Sequence, residues 1–190
     1  MIWRSFTQQR TRFQVPLTIL KFSAGVTLPR RAYLDTNLII DARDAAACKY
    51  IPASTCLAEL IRQGVQLNVS GLVLDELWWT YFKISFRLAT ETDLPPAVYK
   101  ATPGIVRAHW AAVRAVMIAI RAWNGLNELP APVGIVAQAE ALMETNTLLP
   151  RDAFHLALVL HHGIESFVTA DGDFDKLQLP AGTNLTLVKI

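Results

Sequence analysis

Cysteine is nearly absent from this chain of 190 residues, with only Cys48 and Cys56 present. Neither has a Cys or His neighbour at zinc-ligand spacing, so a structural zinc site is excluded. With no export signal in view, both are expected as reduced thiols in a cytoplasm. No apolar run reaches the roughly 18 residues that a membrane-spanning helix requires. The early apolar run VPLTIL is too short for a secretory signal, and no small-residue cleavage site follows it cleanly. There is no G-x-x-x-x-G-K-[ST] and no G-x-G-x-x-G after a strand, so nucleotide-cofactor binding by those loops has no support. No G-x-S-x-G marks a serine-hydrolase elbow. Charge is scarce as well: 18% of residues are charged against 52% apolar. That balance excludes a disordered chain and fits one globular domain with additions. The apolar share is slightly above the usual range, which implies either a large core or a surface covered by a second subunit or partner.

What charge there is lies unevenly. Residues 1–31 hold Arg4, Arg10, Arg12, Lys21, Arg30 and Arg31 and no acid, so 12 of the 18 basic side chains face all 16 acids in the remainder, a balance of −4. A basic extension over residues 1–30 beside an acidic body suits contact with nucleic acid. It is equally consistent with a poorly ordered terminus or with residues upstream of the true start.

The rest of the chain alternates strand and helix signals. RAYLDTNLII (31–40) reads as a buried strand ending at Asp35, with Thr36 and Asn37 as capping residues for a following helix. A short amphipathic helix over 53–63 stops at Gly64. VQLNVS (65–70) is a strand, and Ser70 caps a long helix to about Arg87. The Pro-rich segment 91–104 is loop-like. A helix from about Val106 to Trp123 carries Arg107, Arg114 and Arg121 at seven-residue intervals, one stripe on its surface. Residues 124–134 break the pattern, and 134–145 form another helix. A further helix opens at Pro150 and stops at Gly163. SFVTA is the next strand and LTLVKI (185–190) the last. The alternation predicts an α/β fold with a largely parallel sheet, in which ligands bind beyond the carboxyl ends of strands.

The acids occupy those ends. Asp35 closes the first strand. SFVTA runs directly into Asp171, Asp173 and Asp175. Asp152 falls in the first turn of its helix, and Glu76 lies about two turns into the Ser70 helix. Gathered together, four carboxylates repel one another unless some are protonated or a cation is bound. Oxygen-only donors suit Mg²⁺ or Mn²⁺, which can orient and acidify a water for phosphoryl chemistry. Singly, each has a plainer explanation. Asp35 is a helix cap, Asp152 complements a helix dipole, Glu76 is a solvated helix residue, and Asp173 and Asp175 are turn formers. It is their joint occurrence at these positions that points to one site.

These residues resemble the motifs of the PIN-domain nuclease family, and especially its VapC-type toxins, over about Arg31 to Ile190. YLDTN is similar to the first motif, with Asp35 as ligand and Asn37 as polar neighbour. VSGLVLDELWW resembles the second through Glu76, and LPRDAFHLALVLHHG the third through Asp152. FVTADGDFDKL resembles the fourth, with Asp171 at the acidic position and Thr169 and Asp173 in support. The resemblance implies a three-layer α/β/α sandwich with a mainly parallel sheet over residues 31–190. It further implies Mg²⁺- or Mn²⁺-dependent hydrolysis of RNA, a homodimer and, in the toxin branch, an antitoxin partner. The N-terminal extension and the 91–104 segment exceed a minimal toxin and would equally suit a PIN protein outside toxin pairs.

Other features have a functional and a bland reading. The Arg107, Arg114, Arg121 stripe is a phosphate-binding row or a solvated face. His161 and His162 sit where last-turn carbonyls need donors rather than at a metal. His155, one turn after Asp152, faces the site or is a packed helix histidine. Trp78 and Trp79 stack bases or fill core and interface. Two alternatives to the ribonuclease remain: a non-catalytic PIN-fold module binding RNA or protein, and another phosphoryl-transfer fold. Asp171-Gly172-Asp173 also resembles the acidic pair of primase-like domains, although those place a Glu where this chain has Asp35.

Overall fold

A computed structural model describes residues 15–190, except 96, 99–101 and 103. Arg4, Arg10 and Arg12 of the basic extension therefore lie outside the described residues. Strand β1 (Val15–Pro16) is followed by β2 (Thr18–Lys21), β3 (Arg31–Leu34), α1 (Thr36–Asp41), α2 (Tyr50–Arg62), β4 (Gln66–Ser70) and α3 (Gly71–Thr90). Then come α4 (Gly104–Arg121), β5 (Leu126–Leu129), α5 (Ile135–Asn146), α6 (Pro150–His161) and β6 (Ser166–Thr169). A 3₁₀ turn (Gly172–Lys176), β7 (Gln178–Leu179) and β8 (Thr186–Lys189) complete the chain.

Six strands form one sheet in the order β2-β8-β6-β3-β4-β5, every pair parallel; β1 and β7 pair antiparallel apart from it. A parallel sheet needs cover on both faces, and its central strands are accordingly buried throughout. Ala32, Tyr33 and Leu34 of β3 and all four residues of β6 are buried. The helices, among which α3 packs on α4 and α5 on α6, sandwich this sheet as an α/β/α fold. Among the described residues no helix is long and apolar enough to cross a membrane.

Local chemistry sets the element ends. Ser70 caps α3, its hydroxyl accepting from the Val73 amide at 3.4 Å. Helices α2 and α6 end in the same way. Gly64 (φ 68°) and Gly163 (φ 58°) take the left-handed conformation, and the next residue's amide reaches back to Leu60 and Val159 respectively. That hydrogen-bond pattern is a Schellman ending, which favours glycine.

Three expectations are corrected. Asp35, not Thr36 or Asn37, occupies the N-cap position of α1; Thr36 is its first helical residue. Residues 126–129 form a strand inside the segment 124–134 whose sequence pattern predicts a break. Thr18–Lys21, inside the span set apart as an extension, pairs with β8 at the edge of the main sheet.

The order of strands has one consequence for function. From β3 the chain moves outward to β4 and β5, then returns to place β6 on the other side of β3. The carboxyl ends of β3 and β6 thus flank the topological switch point, where parallel sheets open a crevice.

Candidate active site

Asp35 leaves β3 at this crevice, and its backbone amide donates to the Val168 carbonyl of β6 at 3.1 Å. Its carboxylate is buried and accepts a 2.6 Å hydrogen bond from the Thr169 hydroxyl. Thr169 in turn accepts from the Asp171 amide at 2.9 Å, and Asp171 Oδ1 accepts from the Asp173 amide at 2.9 Å. The strand-end acids are thereby held in one hydrogen-bonded chain. Two lysines brace the loop from outside. Lys49 donates to the Ala170 carbonyl at 3.0 Å, and Lys189 donates to the Asp171 carbonyl while pairing with Asp175 at 2.8 Å.

The helices bring the other two acids. Asp35, Thr36, Asn37, Glu76, Asp152, His155 and Asp171 all line one cavity of about 230 Å³, together with Trp79, Lys83 and Arg151. All four sequence-derived acids therefore meet in one place, with Asn37 beside them and Thr169 bonded to Asp35. Asp173 acts on Asp171 through its backbone. Arg107, Arg114 and Arg121 do not line the cavity; they are exposed along α4.

The electrostatics carry the mark of crowded acids. Asp152 is pushed up to about 6, first by burial and then by the charges of Asp171, Asp173 and Asp35, against the pull of His155. Burial also raises Asp35, although the Thr169 hydrogen bond and His155 oppose it. Glu76 goes the other way. Burial raises it, but hydrogen bonds from His155 and Thr36 and the charges of His155 and Arg151 outweigh that and leave it lowered.

Glu76 is the most heavily engaged of the four. Its Oε2 accepts from Thr36 at 2.5 Å and lies 3.3 Å from His155 Nε2; its Oε1 accepts from Arg151 at 3.2 Å. His155, only 3% exposed, is fixed from behind, its Nδ1 standing 2.7 Å from the Tyr33 hydroxyl, which lies 2.6 Å from Ser70 Oγ. A carboxylate can only accept, so Nε2 carries a proton toward Glu76 in either imidazole charge state. His155 thus faces the site as well as packing the helix. His161 and His162 point elsewhere, His162 Nε2 lying 2.9 Å from the Pro130 carbonyl.

Sequence reasoning missed Arg151 and Lys83 in the cavity. Lys83 follows Glu76 by seven residues, the spacing of one helix face, which was a usable signal. Arg151 sits next to Asp152 in the first turn of α6, with nothing in its spacing to aim it at Glu76.

A family model of the PIN domain matches residues 32–179. The chain belongs to the PIN-domain family. Solved structures similar to it include VapBC2 from Rickettsia felis bound to a DNA fragment from its promoter, at 15% identity and TM-score 0.50. That likeness covers 83% of this chain and 96% of the other. A toxin–antitoxin complex from Klebsiella pneumoniae is similar at 18% identity and TM-score 0.50, over 81% and 94% of the two chains. VapC20 from Mycobacterium tuberculosis, a sarcin–ricin loop cleaving toxin, has 21% identity and TM-score 0.49 over 75% and 92%. A search of curated protein sequences returns no match. The PIN assignment displaces the primase-like alternative. At these identities the structural likeness speaks for the fold.

The donor set of this PIN cavity fits a hard divalent cation: four carboxylates, no thiol, and a crowding of acids that raises the proton affinity of Asp152. The carboxylates are not drawn to a point. Among the described residues no three His, Cys, Asp or Glu side chains stand close enough to hold an ion as placed.

Proposed function

We propose that this PIN protein is a Mg²⁺- or Mn²⁺-dependent endoribonuclease of the VapC toxin type. One observation carries the reading: the acids of all four motif-like segments line a single cavity at the carboxyl ends of β3 and β6. Asp35, Asp152 and Asp171 would hold the metal, with Glu76 completing the set. A bound divalent ion supplies positive charge against a phosphodiester and lowers the pKa of a water. The chain's own part is positional. Thr169 orients Asp35, the 3₁₀ turn presents Asp171, and His155 with Thr36 holds one oxygen of Glu76. The likeness to toxin–antitoxin complexes supports an antitoxin partner; a homodimer and a cytoplasmic setting belong to the same reading.

The test is cleavage of labelled RNA by purified protein with Mg²⁺ or Mn²⁺. Cleavage is expected to stop in EDTA and to be lost in Asp35→Asn. Activity that survives both sinks the assignment. A small open reading frame adjacent to this gene, whose product co-purifies with the protein, supports the antitoxin; a lone gene opposes it.

One feature favours a second reading, a PIN-fold module that binds RNA or protein without cutting. Both oxygens of Glu76 are already engaged, one of them by Arg151. Under that reading Mg²⁺ produces no thermal stabilisation and no cleavage.

A further inference from the structure

Two consecutive tryptophans on α3 have parted company. Trp78 packs edge-on against Trp110 of α4, ring centroids 6.4 Å apart at 74°, and so joins the two helices. Trp79 turns instead to the carboxylate cavity, which it lines while remaining 39% exposed. Glu76, Trp79, Thr80 and Lys83 recur at three- and four-residue spacing and all line that cavity, so they form one face of α3. The buried Phe82 lies 5.8 Å from the Trp79 ring at a 31° tilt and steadies it, and the Lys83 ammonium lies over the ring, 5.8 Å from its centroid.

We propose that Trp79 and Lys83 form a docking site for one unpaired nucleobase of an RNA strand, beside the acids that would receive its backbone. The proposal rests on the ribonuclease reading for its ligand and adds to it a base-stacking subsite built from this chain's own Trp79 and Lys83. A flat apolar ring with cations at hand matches a ligand made of a flat base and an anionic phosphate. Lys83 is exposed, and a cation over an indole at such a site is worth only roughly 2- to 5-fold in an equilibrium. Stacking of a base on an aromatic ring is worth roughly 5- to 150-fold. The base therefore displaces the ammonium, which is released toward the phosphate. A paired base has both faces taken by its neighbours in the helix, so an unpaired one is required.

The experiment measures binding by fluorescence anisotropy in EDTA, where the cutting reaction plays no part. The probes are a short labelled oligoribonucleotide, the same strand annealed to its complement, and the same strand made abasic. The intact single strand is expected to bind most tightly. Trp79→Leu should weaken it roughly 5- to 150-fold, Trp79→Phe should restore most of the loss, and the abasic strand should be indifferent to either change. Equal affinity of the wild-type protein for intact and abasic strands overturns the proposal without any variant. So does Trp79→Leu binding like wild type, or losing the same factor on both strands. A protein that stacks RNA here but never cuts it upholds this site and sinks the nuclease reading alone. Cleavage unaffected by Trp79→Leu, with unchanged kcat/KM, does the reverse.

Discussion

Asp152 stands in the first turn of α6, where the helix dipole favours a charged carboxylate. Burial and the neighbouring Asp171, Asp173 and Asp35 win nonetheless and raise it to about 6. A raised carboxyl pKa means that the folded state holds this proton more tightly than the unfolded chain. The effect on stability is nil below the ordinary carboxylate range, where both states are protonated. It turns unfavourable as pH rises toward about 6 and persists above it. In metal-free protein, Asp152→Asn should therefore raise the Tm near neutral pH by no more than about 2–4 °C, because the group is half exposed. The gain should vanish near pH 4, as calorimetry at the two pH values would show. If a divalent ion binds here, added Mg²⁺ raises the wild-type Tm and reverses the order. A variant gain that is the same at both pH values removes the crowded-acid account. The acids themselves were readable from sequence because strand ends and helix first turns are fixed by hydrophobic pattern and caps. Their partners were not. That Tyr33 and Ser70 meet behind His155 depends on the register of β3 against β4 and on the packing of α6, neither of which local spacing encodes.

At the scale of elements, the legible pieces were those with strong burial contrast. Strands β3 and β6 are buried but for Arg31, the long helix after Ser70 carried a cap signal, and the helix opening at Pro150 carried both a start and a stop signal. Strand β5 was missed because it lies at the sheet edge with Asn127 and Glu128 exposed, which leaves no apolar run to read. Strand β2 overlaps the apolar run VPLTIL, but three of its four positions are exposed at the opposite edge, so no buried face sets it apart as part of the sheet. Among the described residues two helix ends place a non-glycine residue in the left-handed region, Glu91 after α3 and Thr147 after α5, and only the second is β-branched. Thr147, the C-cap of α5, has φ 56° and ψ 34°, and its amide donates to the Met143 carbonyl at 3.0 Å. A β-branched residue in the left-handed region is strained by about 1–2 kcal/mol, whereas asparagine visits it readily. Thr147→Asn should recover about 1 kcal/mol, a rise in Tm of about 2–4 °C. The far-UV spectrum should not change. A fall in Tm would mean that the threonine side chain contributes packing which outweighs its backbone strain.

The whole molecule joins a central site to two exposed sheet edges, and the N-terminal edge is the more consequential. Strand β2 covers β8, and β8 carries Lys189, whose side chain secures the Asp171 carbonyl and Asp175. Stripping β2 away would expose a row of β8 backbone groups and loosen the strand that braces the acidic turn. Deletion of residues 1–21 leaves intact the Val26–Leu28 segment, which Gln63 fastens to α2 through hydrogen bonds to Leu28 N and Val26 O. The truncated chain should therefore still fold, but with a lower Tm and a new tendency to associate through the bared β8 edge. Size-exclusion chromatography at several concentrations would show a shift to larger species that Lys or Pro substitutions on β8 suppress. Hydrogen exchange gives the companion reading. Amides of β8 and of residues 170–175 should lose protection on truncation, while those of β3 and β4, on the far side of β6, keep it. Unchanged exchange in residues 170–175 would separate the N-terminal strand from the site and leave it as edge cover alone.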